Sequence, residues 1–125
     1  MSSKHTVNIT KPQKTGWLEK QSRYIKQWKR RYFVLQDHIL YTFKSEQSLT
    51  TPTEIIDLTI FSSVKSSEDY TNKPYSFDIY SSDTVFSICA DSETTKEDWI
   101  RAIGRAIVIS RTKQWNDDDD NNGDA

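Results

Sequence analysis

Short runs of apolar and aromatic strand formers, separated by polar loops, recur along the chain as far as Cys89. These runs predict a first strand over Thr15 to Gln21 and a second over Gln27 to Leu35, joined by a loop from Ser22 to Lys26. Gln36-Asp37-His38 reads as a turn into a third strand, Ile39 to Lys44. A polar loop from Ser45 to Thr53, closed by Pro52, leads to a short fourth strand, Glu54 to Leu58. A fifth strand is expected near Ser62 to Ser67, followed by a loop from Glu68 to Lys73. Pro74 suits the start of the next strand. Tyr75 to Tyr80 and Val85 to Cys89 alternate cleanly, and Ser81-Ser82-Asp83 joins them as a hairpin. Seven short strands in succession predict an antiparallel barrel or sandwich.

After Cys89 the period changes. Thr94 and Glu97 fit a capping box, with Thr94 as the cap and Glu97 reaching back. Trp99, Ile103, Ala106 and Ile107 then recur at helical spacing, with Ala102 beside them, and predict a helix ending near Arg111. Glu97 and Arg101 form a favourable pair one turn apart, Arg101 and Arg105 an unfavourable one. The fold class is therefore mainly β with one C-terminal α-helix. Residues 1–13 show no periodicity and are expected as a flexible lead. Residues 114–125 are acidic and of low complexity, and are expected to be disordered.

The stretch from Gly16 to Phe33 carries the chemistry. Residues two apart on a strand share a face. Lys29, Arg31, Phe33 and Leu35 therefore lie together, as do Leu18 and Lys20. Phe33 and Leu35 belong in a core, so three cations point toward the open end of an apolar interior. Like charges gathered there without partners are costly, and an anion with several phosphates would satisfy them. The alternative is an ordinary basic hairpin whose cations all reach water. Trp17, Trp28 and Tyr32 fall on the opposite face and read as packing residues.

Charge sharpens this picture. The formal net charge of −1 hides five aspartates from Asp117 onward, without which it is +4. Between Lys11 and Lys44, nine cations face only Glu19 and Asp37. Such a patch attracts phosphorylated ligands or an anionic membrane surface. Hydrophobic residues make up only 34% of the chain, but an aromatic share of 12% can build a compact core. The single cysteine, Cys89, excludes an internal disulfide and reads as a buried inert thiol in a reducing compartment. No apolar run approaches the ~20 residues of a membrane span, and the N-terminus lacks a signal-peptide core. Three glycines and two isolated histidines supply neither a phosphate loop nor a zinc site, and no catalytic constellation emerges. Nucleic acid is disfavoured, because the aromatics lie away from the cations and the acidic tail repels a polyanion.

The segment Gly16-Trp-Leu-Glu-Lys20, followed by Trp28-Lys-Arg-Arg-Tyr-Phe-Val-Leu35, resembles the start of a pleckstrin homology (PH) domain, in particular that of protein kinase B. The resemblance extends over residues 14–113 and includes Trp99 in the final helix. It implies a seven-stranded antiparallel barrel of two near-orthogonal sheets, one end plugged by the helix and the other open and cationic. The family's inositol-phosphate signature falls on Lys20, Lys29, Arg31 and Phe33. Lys44 matches a lysine of the protein kinase B site. Thr42 and Thr53 stand where cytohesin-like relatives carry a phosphate-binding tyrosine and arginine, which leaves the choice between 3,4-bisphosphate and 3,4,5-trisphosphate lipids open. Arg23 and Lys26 are implied as supplementary headgroup contacts. Tyr24 and Ile25 at the loop tip either enter the bilayer or fold back onto the barrel. The implied function is recruitment of a soluble, monomeric, cytoplasmic protein to phosphoinositide-bearing membranes, without catalysis or cofactor. The rival is a PH-fold module that recognises proteins and binds lipid weakly.

Overall fold

The strand segments turn one row of side chains into the core, and some, such as Val34 and Phe43, are buried on the other face as well. In the computed structural model, residues 6–22 and 26–123 are described, with side chains through 112. The strands are β1 (Lys14–Gln21), β2 (Trp28–Gln36), β3 (Ile39–Phe43), β4 (Glu54–Asp57), β5 (Ser63–Ser66), β6 (Ser76–Tyr80) and β7 (Val85–Cys89). A 3-10 turn, Leu58–Ile60, follows β4. A one-turn helix, α1 (Glu68–Thr71), interrupts the expected loop before β6, and α2 (Glu93–Gly123) closes the chain. Leu58 thus leaves the fourth strand: the Asp57 carboxylate accepts from the Thr59 amide at 3.0 Å and turns the backbone.

All seven strands pair antiparallel in the order β4-β3-β2-β1-β7-β6-β5. The two expected sheets are thus two wings of one continuous ladder, with β1 at the hinge. Its eight residues all pair with β2, whereas only Glu19 and Lys20 pair with β7, opposite Cys89 and Ile88. Leu18, Phe33, Leu35, Leu40 and Ile56 from one wing join Phe77, Ile79, Phe86 and Ile88 from the other in a single core, so the wings face each other.

The helix lies at the end of the barrel where β1 begins. Trp99 is buried, meets Phe33 edge-to-face at 6.1 Å between centroids, and lies against Gly16, where an added Cβ would sit 3.5 Å from the indole. The Lys14 ammonium covers the same indole at 5.2 Å. Ile103, Ala106, Ile107 and Ser110 continue the buried stripe.

The helix cap lies two residues before the expected one. The Thr95 amide donates to Ser92 Oγ at 3.1 Å, and the Lys96 amide to the Ser92 carbonyl at 3.0 Å, so Ser92 is the N-cap. Arg101 pairs with Asp98 at 3.4 Å rather than with Glu97. The helix also runs past Arg111 to Gly123. The lead is tied down from Val7, whose amide donates to the Thr50 carbonyl at 2.8 Å. The Gln36 side chain accepts from the amides of Thr10 and Lys11 and donates to the Asn8 carbonyl.

Candidate functional site: a cationic barrel mouth

Register places the cations. Across β1 and β2, Leu18 faces Arg31 and Lys20 faces Lys29. Across β2 and β3, Phe33 faces Thr42 and Tyr32 faces Phe43, so one further step brings Lys44 level with Arg31. Phe33 and Leu35 belong to the common core, which Val34 between them does not join, and this makes their face of β2 the inner one. Lys29 and Arg31 continue that face beyond the core, at the end away from Trp99. Arg31 is half-buried and its guanidinium donates to the Arg30 carbonyl at 2.9 Å, while Lys29 and Lys44 are exposed. Among the described residues none of Lys29, Arg31 and Lys44 has a carboxylate partner.

Lys20 differs from the other three. It is buried, and its ammonium lies 2.7 Å from the carboxylate of Glu54, at the start of β4. The same ammonium sits 4.8 Å above the Phe86 ring and donates to the Gln21 carbonyl at 3.4 Å. A cation this deep needs a counter-charge, and Glu54 supplies it. Sequence reading missed Glu54, although the alternation Glu54, Ile56, Leu58 puts its side chain on the inner face.

Thr42 and Thr53, where related sites carry phosphate-binding groups, bond to each other. Their hydroxyls are 2.7 Å apart, the Thr53 amide donates to the Thr42 carbonyl at 2.7 Å, and Thr42 is buried. These contacts fix the backbone next to Glu54, which pairs across the ladder with Thr42.

The loop between β1 and β2 is closed by its ends. The Ser22 amide donates to the Gln27 carbonyl at 2.7 Å, and the Gln27 amide to Ser22 Oγ at 3.1 Å. Lys26 is exposed with left-handed backbone. Arg23, Tyr24 and Ile25 lie outside the described residues. The opposite face of the hairpin is a packing surface: Trp17 and Tyr32 meet edge-on at 5.4 Å, Arg30 covers Trp17 at 5.2 Å, and Lys73 covers Trp28 at 5.1 Å. The Cys89 thiol is buried and donates to the Pro74 carbonyl, and burial raises its pKa, as fits an inert side chain. Among the described residues no group of His, Cys, Asp and Glu could hold a metal ion, and no helix is long and apolar enough to cross a membrane.

Fold and site together define a small barrel-and-helix binding module with its cations gathered at the mouth. The PH domain profile matches residues 12–108, and the chain belongs to that family of non-catalytic modules. It is 42% identical over 101 residues to the Arabidopsis thaliana pleckstrin homology domain-containing protein 1, covering 78% of this chain and 70% of that one. A PH domain-containing protein of Dictyostelium discoideum is 39% identical over 93 residues, covering 74% of this chain and only 20% of the relative. Among solved structures, the C-terminal PH domain of pleckstrin in complex with D-myo-Ins(1,2,3,4,5)P5 superposes with a TM-score of 0.64 at 28% identity, covering 76% of this chain and 97% of that domain.

Proposed function

We propose that this PH domain is a phosphoinositide-binding module that recruits a monomeric, cytoplasmic protein to membranes through 3-phosphorylated inositol lipids. The observation that carries the reading is the trio Lys29, Arg31 and Lys44, which extends the inner face beyond the core without a carboxylate partner among the described residues. A bidentate guanidinium and two ammonium groups suit a ring bearing several phosphates. Arg31 and Lys20 take the phosphates at the 3- and 4-positions, Lys29 sits beside them, and Lys44 closes the site in the manner of protein kinase B. Arg23 and Lys26 supplement the headgroup contacts, and Tyr24 with Ile25 meets the bilayer. The inositol pentakisphosphate carried by the pleckstrin domain supports this chemistry by analogy.

One observation favours a second reading. Lys20, the deepest cation, is already neutralised by Glu54. A mouth so reduced in charge suits a protein-binding PH module with feeble lipid affinity. Sedimentation with liposomes carrying each phosphoinositide in turn decides between them. Selective pelleting with 3-phosphorylated lipids, lost in Arg31→Ala, supports the first reading; indifference to all of them supports the second.

A further inference from the structure

Resting on the phosphoinositide reading, we infer that Glu54 is a specificity-determining residue of the mouth: its carboxylate occupies Lys20 in the free protein, and an entering phosphate must displace it. Three features carry this. The Lys20 ammonium is held at 2.7 Å from Glu54 and above Phe86, so the pair stands inside the mouth rather than on its rim. Lys20 lies directly opposite Lys29, so any anion bridging this cross-strand pair of cations comes within reach of the Glu54 charge. Glu54 is the first residue of β4 and its side chain is 32% exposed, so the carboxylate has solvent to turn into once Lys20 is taken.

The carboxylate is held in readiness by its neighbours. The Thr42–Thr53 contacts pin the backbone on its N-terminal side, and pairing with Thr42 fixes its place on the inner face. In chemical terms Glu54 stands in for one phosphate. A ligand presenting a single phosphate to Arg31, Lys29 and Lys44 leaves the pair intact. A ligand that adds a phosphate at Lys20 must break a charge-assisted hydrogen bond and meet a like charge. The site therefore discounts the more heavily phosphorylated ring relative to a mouth without the carboxylate.

The test is calorimetric titration with soluble inositol 1,3,4,5-tetrakisphosphate, which involves no membrane, using wild type, Arg31→Ala, Glu54→Gln, Lys20→Gln and the Lys20→Gln/Glu54→Gln double variant. Glu54→Gln keeps the shape and loses the charge. It is expected to bind about tenfold more tightly than wild type, with a steeper salt dependence. In the Lys20→Gln background the same change is expected to have a clearly smaller effect, since the ion pair is gone and only the like-charge repulsion remains. If wild type binds and Arg31→Ala does not, but Glu54→Gln binds no better than wild type, this inference is overturned while the phosphoinositide reading stands. If neither wild type nor Glu54→Gln binds, both fall. Glu54→Ala repeats the contrast should Glu54→Gln unfold; loss of folding in both makes the pair structural and overturns the inference.

Discussion

Lys20 and Lys29 stand directly opposite each other across β1 and β2, yet they differ in state: Lys20 is buried against Glu54, and Lys29 is exposed without a carboxylate partner among the described residues. Like charges in this position destabilise a sheet. The barrel tolerates them because one is neutralised from β4 and the other reaches water.

Arg31→Ala is expected to abolish most headgroup binding with the fold intact. The guanidinium is half-buried and spends one donor on the Arg30 carbonyl, leaving the rest for a ligand. Charge-assisted hydrogen bonds contribute about 1.5–3 kcal/mol each, so affinity falls well over tenfold. Titration with a soluble inositol phosphate, alongside circular dichroism, checks both halves.

Arg30→Ala is the control. Arg30 covers Trp17 on the outer face, and its loss costs stability of about 0.5–1 kcal/mol at an exposed site. Liposome binding is expected to stay within twofold of wild type. A loss matching that of Lys29→Ala would move the inner face by one residue and contradict the register.

Trp99→Ala is expected to loosen the domain rather than the site. Truncating a buried aromatic costs about 3–5 kcal/mol. For a domain of this size the melting temperature falls by more than about 10 °C. A variant that melts with the parent would show that the helix contributes little to closing the barrel.

Acid is expected to weaken the attachment of α1 to α2. The Lys96 ammonium donates to Glu68 at 2.7 Å, and lies 3.1 Å from Glu93. That hydrogen bond holds the Glu68 carboxyl below the usual glutamate range and raises Lys96 above the usual lysine value. The depressed carboxyl contributes stability above its unfolded pKa and loses it as pH falls through its folded one; the raised lysine loses its share only at strongly alkaline pH. Between neutrality and about pH 3, Glu68→Gln is therefore expected to lose less melting temperature than wild type. Parallel melting curves that fall equally would remove Glu68 from the acid response.

Ile25→Glu separates headgroup from bilayer contact. Loop cations contribute about 1 kcal/mol each near an anionic surface, and an inserted Ile25 adds apolar burial. The variant is expected to bind a soluble inositol phosphate normally and liposomes more weakly. Equal losses would give the loop a headgroup role, and no loss would leave it outside the mechanism.

The strands and the inner and outer faces of the hairpin were legible because both depend on local periodicity. Phe33 and Leu35 alone orient Lys29 and Arg31. The expected helix start is two residues late because Thr94 with Glu97 matches a capping box, and only the folded backbone brings the Thr95 amide to Ser92 Oγ. Glu54 escaped notice for a different reason. It pairs with Lys20 from a strand that is not its neighbour in the ladder, so the contact exists only once the sheet has curled. The Thr42–Thr53 contact likewise depends on how the loop before β4 returns.

The two-residue junction of β1 with β7 has a mechanical consequence. Among the described residues, Glu19 and Lys20 make the two pairs that join the wings at the hinge, and the Lys20 side chain touches β4 through Glu54 and β7 through Phe86. On the phosphoinositide reading, a ligand that captures the Lys20 ammonium frees Glu54 and loosens an ion pair that ties β1 to β4 across the mouth. Because the same side chain also lies over Phe86 of β7, that exchange is expected to be felt in both wings.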